Sequence, residues 1–189
     1  MTEALWALGR ATGAVSLLLL SVTVALGIGV RRGRPALGLP RFGLLTVHRV
    51  ASLTAVALLV VHVGSLLLDP WAGLSLVDIV VPGLAGYRPL WVGLGTAALD
   101  LLLAVAVTSL LRHRLGARTW KAVHLLAYAA WPVAVGHVLG AGTDVGTPWM
   151  TALLAVCVLG VLAAVVLRLR SAAPERAAIP APAPTGALR

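Results

Sequence analysis

Five stretches of this 189-residue chain are each about 20 predominantly apolar residues long, the length that crosses roughly 30 Å of hydrocarbon. They fall at about 11–30, 44–68, 90–111, 120–140 and 149–169. Water is absent there, so every backbone N–H and C=O must find its partner inside the protein, and a single segment manages that only as a helix. The expected fold is all-α: an integral membrane helical bundle of about five transmembrane helices. Composition agrees, with 60% hydrophobic and 11% charged residues. Soluble domains carry about a quarter charged residues. The first span is too long for a signal peptide, and its basic cluster follows the apolar run instead of preceding it. The single cysteine, Cys157, excludes a disulfide within the chain and a cysteine metal site.

The net charge of +9 raises the question of nucleic acid, but the placement of the charges answers it. Basic residues gather on the cytoplasmic side of membrane spans. Arg31, Arg32, Arg34 and Arg41 follow the first span, Arg112, Arg114, Arg118 and Lys121 the third, and Arg168, Arg170, Arg176 and Arg189 the fifth. Those twelve of the fifteen basic residues share one side, whereas Glu3, Asp69, Asp78 and Asp144 lie on the other with Arg10 and Arg88. The expectation is an N-terminus outside, a C-terminus in the cytoplasm, lipid as the partner and no nucleic acid. Residues 1–170 form the transmembrane domain, with a core at 44–140, and 171–189 form a Pro/Ala-rich tail expected to be disordered.

Within the second span "HRVASLTAVALLVVH" carries a histidine at each end, and within the fourth "HLLAYAAWPVAVGH" does the same. Imidazoles are costly in hydrocarbon, and ionisable residues there mark function. Both spans run in the same direction, so His48 and His124 lie at one depth and His62 and His137 at another. The rise between the levels is roughly 20 Å at 1.5 Å per residue. Two facing imidazole pairs suit two stacked b-type haems, one under the other. With both axial positions of each iron filled, such haems transfer electrons and do not activate oxygen. The alternatives are a haem-free proton or metal transporter and a haem-free structural subunit. Fourteen residues bring His62 back to within about 40° of His48, but thirteen leave His137 about 140° from His124 on an ideal helix. Pro132 lies between, and the expectation is either a kink or rewinding near Trp131–Pro132 or two haem planes rotated relative to each other.

The segment "YRPLWVGLGTAALDLLLAVAVTSLLRHRLGARTWKAVHLLAYAAWPVAVGH", above all Thr108–Ser109 and "LGARTWKAVHLLAY", resembles the ferric reductase-like transmembrane domain family. The bacterial haem-subunit branch is nearest, and the membrane parts of NADPH oxidases are related. The resemblance covers roughly 44–140. It implies iron ligation in the pairs His48/His124 and His62/His137, two haem b groups, and electron flow across a bacterial inner (plasma) membrane. Family members usually have six spans where this chain shows five. The larger members carry a flavin and nicotinamide domain, whereas here about twenty residues follow the fifth span, with no glycine-rich nucleotide loop. The chain then reads as the electron-transfer component of an oxidoreductase. Its donor would be a separate cytoplasmic flavoprotein, a flavin, or a quinone in its quinol form. Its acceptor would be ferric iron, a periplasmic or extracellular reductase, quinone or oxygen.

Trp131, at mid-height between the histidines of the fourth span, is a candidate to pack between the haems. Arg49, Arg118 and Lys121 are candidates to pair with haem propionates at the inner level. Gly64, Gly93, Gly95 and Gly136 are candidates for close approach of helices or porphyrin edges. Asp100 falls in the middle of the third span, where a charge must be neutralised or paired.

Overall fold

A computed structural model describes residues 2–30 and 40–177. Its elements are α1 (Thr2–Val30), α2 (Arg41–Leu68), α3 (Pro89–Leu110), α4 (Ala117–His124), α5 (Ala127–Ala141) and α6 (Pro148–Ala177). Five spans are long and apolar enough to cross a membrane, α4 and α5 together forming the fourth. The all-helical fold and the number of spans are as the hydropathy pattern requires, and the protein is a multi-pass membrane protein. Arg31, Arg32 and Arg34 of the basic loop and residues 178–189 of the tail lie outside the described residues, while α6 continues past Arg170 to Ala177.

Packing divides the bundle into two seams. α1 runs along α2 and also contacts α6, and α3 runs along α5. α2 forms no comparable seam with α4 or α5, so the two histidine-bearing spans face each other without close packing. Trp131 helps tie the halves together. Its indole N–H donates to Ser21 Oγ at 2.9 Å, and its ring packs on the buried cluster Val24, Ile28 and Val161 of α1 and α6.

The fourth span is interrupted, but not where the proline sits. α5 passes through Pro132 unbroken, and the discontinuity lies at Leu125–Leu126. There the chain tightens into i→i−3 bonds: Leu126 N–H to Val123 O at 2.9 Å, Tyr128 N–H to Leu125 O at 3.0 Å and Ala129 N–H to Leu126 O at 2.9 Å. The physical reason is that Pro132 has no N–H for the Tyr128 carbonyl and its ring presses on that group. The distortion is absorbed N-terminal to the proline, where the chain can wind more tightly. Tight winding adds about 20° per residue, so three or four such residues recover roughly half of the 140° mismatch between His124 and His137.

At the end of the bundle opposite the basic residues, short-range polar contacts fix the connections. Arg10 on α1 forms an ion pair with Asp144 in the turn before α6 and lies over the Trp6 ring at 3.9 Å. Arg88, left-handed at φ 41°, caps the start of α3 and donates to the Gly140 carbonyl at 2.5 Å. The connection 69–88 is folded onto α3: Thr96 Oγ1–H donates to the Asp78 carbonyl at 2.7 Å, and Gly93 lies against the backbone of Gly83. The Asp78 carboxylate accepts from Ser75 N–H at 2.8 Å and Ser75 Oγ–H at 2.7 Å, which holds its pKa below the ordinary value.

A methyl group on Gly93 would lie 2.7 Å from the Gly83 nitrogen, backbone that cannot step aside, whereas one on Gly86 meets nothing within 4 Å. Gly93→Ala is therefore expected to lift the 69–88 connection and expose it to limited proteolysis, with Gly86→Ala cut at the wild-type rate.

Candidate functional site

Three of the four span histidines are held in the same way. His62 Nδ1–H donates to the Gly9 carbonyl at 2.7 Å, His48 Nδ1–H to the Thr23 carbonyl at 3.0 Å and His137 Nδ1–H to the Trp91 carbonyl at 2.9 Å. Each of these carbonyls belongs to a helix, where its second lone pair remains available. In each case the residue four positions on, whose side chain would shield that carbonyl, is a glycine: Gly13, Gly27 and Gly95. The imidazole lies in the notch. A methyl group on Gly13 would approach the His62 ring to 2.8 Å and one on Gly95 the His137 ring to 2.7 Å, whereas on Gly27 it would stand 3.5 Å from His48.

This geometry settles the tautomer. A carbonyl only accepts, so Nδ1 carries the proton; in the neutral ring Nε2 then keeps its lone pair, the state in which imidazole binds a metal. His124 is held differently. Its Nδ1 is 3.4 Å from Ser109 Oγ, and its ring stacks on Trp120 with centroids 5.1 Å apart.

The structure brings His48 and His124 together across the cleft. His48 and His124 ring centroids are 6.3 Å apart with planes at 63°. All four rings are half-buried, as side chains lining an open cleft should be. Arg49, Arg118 and Lys121 are exposed. Trp131 is turned toward α1 and α6. Of the glycines singled out by sequence, Gly93, Gly95 and Gly136 meet close neighbours, while Gly64 has open space around it.

The donor set fits haem. Among the described residues no three His, Cys, Asp or Glu side chains converge, so the imidazoles are available as pairs. A pair suits an ion whose other four positions are filled by a macrocycle.

A family model for the ferric reductase like transmembrane component matches residues 12–135, about two-thirds of the chain. The chain belongs to this family. Its members generally bind haem, and membership indicates transmembrane electron transfer. The match takes in His48, His62 and His124 and ends just before His137. It also reaches back through α1, which sequence reasoning left outside the core at 44–140. No curated protein and no solved structure matches the chain.

Sequence reasoning missed the contribution of α1. Gly9, Gly13, Ser16, Leu20, Thr23 and Gly27 recur at helical spacing and form one mostly small-residue face. That face supplies two of the three carbonyl acceptors and two of the three notches.

Gly13→Ala and Gly95→Ala are expected to displace His62 and His137, so that if haem occupies the histidine pairs it is lost from that level alone, whereas Gly27→Ala leaves the His48 level undisturbed. Haem per chain in the purified variants measures this.

Proposed function

We propose that this protein is a membrane b-type cytochrome that carries two stacked bis-histidine haems and passes electrons across a bacterial plasma membrane. The pairs His48/His124 and His62/His137 hold the two irons through Nε2. Haem held there would supply the one-electron chemistry, and an imidazole from each side would suit it to relaying electrons. The chain's own work is to fix the rings, keep Nε2 unprotonated and exclude water from the cleft between α2 and α4–α5. The observation that carries this reading is the threefold repetition of an imidazole locked by a helix carbonyl over a glycine.

The basic end, with Arg112, Arg114, Arg118, Lys121, Arg168 and Arg170, is assigned to the cytoplasm by the charge asymmetry. The His48/His124 level is then the inner one. Arg49, Arg118 and Lys121 stand at that end and are suited to neutralise the propionates of the inner haem. Trp131 walls the space between the levels from the α1 side. The donor at the cytoplasmic face is a separate flavoprotein, a flavin or a quinol, and the acceptor outside is a reductase, ferric iron or another oxidant.

A dithionite-reduced minus oxidised spectrum with a pyridine haemochrome assay tests this directly. Two haem b per chain are expected, falling to one in His62→Leu and in His48→Leu. A protein without haem, from cells well supplied with it, would leave a haem-free proton or metal pathway as the account of the histidines.

A further inference from the structure

Asp100 is the twelfth residue of the 22-residue helix α3, so its carboxyl lies midway between the helix ends. It is exposed, and among the described residues it has no hydrogen bond and no ion pair. Asp100 follows Gly95 by five residues, which turns it about 140° round the helix from the face that holds His137. It therefore points away from α5 and the histidine cleft. The 69–88 connection covers the same side of α3 one and two turns above, through Thr96 and Gly93, and stops short of Asp100. Below it Leu103, Val107 and Leu110 are exposed.

A lone carboxyl at this depth cannot reach water, because an Asp side chain is too short to snorkel as Lys and Arg do. It needs a polar partner from another helix. Its neighbours make room for one: Ala97 and Ala104, three residues before and four after on the same stripe, let a second backbone approach closely.

We infer that α3 packs against α3 of a second copy of this chain, with the two Asp100 carboxyls facing each other across a twofold axis along the membrane normal. Symmetry places both groups at one depth. A protonated carboxyl group both donates and accepts hydrogen bonds, so two of them complement each other as a neutral pair, which is the form that hydrocarbon favours. The apolar surface of Leu103 and Val107 continues the contact toward the basic end. The assembly leaves both histidine clefts facing away from the interface, and it stands whatever the histidines hold.

The test is the copy number of the fluorescently tagged full-length chain in lipid nanodiscs, counted by stepwise photobleaching. Two copies are expected for wild type and for Asp100→Asn, whose amide also donates and accepts, and one for Asp100→Leu. Asp100→Leu replaces a polar group with one that lipid accepts, so it is expected to remain folded, which a thermal melt checks. In a Cys157→Ala background, Ala104→Cys is expected to give a disulfide-linked dimer on oxidation, while Val60→Cys on α2 does not. A wild-type chain that is single in nanodiscs, or that pairs only when other membrane proteins are present, would overturn the inference. So would an Asp100→Leu chain that stays paired.

Discussion

A helix carbonyl has one lone pair engaged along the helix and a second that side chains normally hide. Glycine four residues on uncovers it, and the placement of three imidazoles in this bundle depends on that. Each histidine gains an acceptor for Nδ1–H in a medium where an unpaired donor is expensive. Each gains at the same time a fixed ring plane and a defined tautomer. The same notches bring helices together: Gly13 and Gly27 along the α1–α2 seam, Gly95 along the α3–α5 seam. Helix packing and ligand orientation are thus one set of contacts, and the cleft is the space left between the two seams.

The two levels are not equivalent. At the His62/His137 level both rings are gripped by short bonds to main chain, and both glycine notches are too tight for a methyl group. At the other level His48 is held by a longer bond over a roomier notch, and His124 meets a serine hydroxyl and a tryptophan face. His124 also ends α4, immediately before the break at Leu125–Leu126. Ligand orientation tunes a metal centre. The proposed haems therefore differ in axial-ligand rigidity, and the more adaptable site is the one beside the basic end, where a donor would arrive.

Much of this was legible in the sequence. Hydropathy alone marks the five spans because lipid leaves the backbone one solution per segment, and spacing within spans two and four marks the paired levels because a helix has a fixed rise. What was not legible depends on which helices touch. Gly13 and Gly27 look like ordinary small residues in a membrane span until α1 is laid against α2. Gly64, equally plausible by sequence, faces open space. The break in span four was expected at Pro132 and lies at Leu125–Leu126, since a proline's clash and its missing bond act on the turn before it and the chain yields where winding is easiest.

The central claim is that electrons cross the bilayer through this one chain. It is tested most directly by reconstituting the haem-loaded protein in sealed vesicles that enclose ferricyanide and adding dithionite outside. The account predicts that the enclosed ferricyanide is reduced with wild type, and at no more than the rate of protein-free vesicles with His62→Leu, which breaks the relay at one level. Vesicles whose protein carries two reducible haems, yet whose ferricyanide stays oxidised, would contradict it.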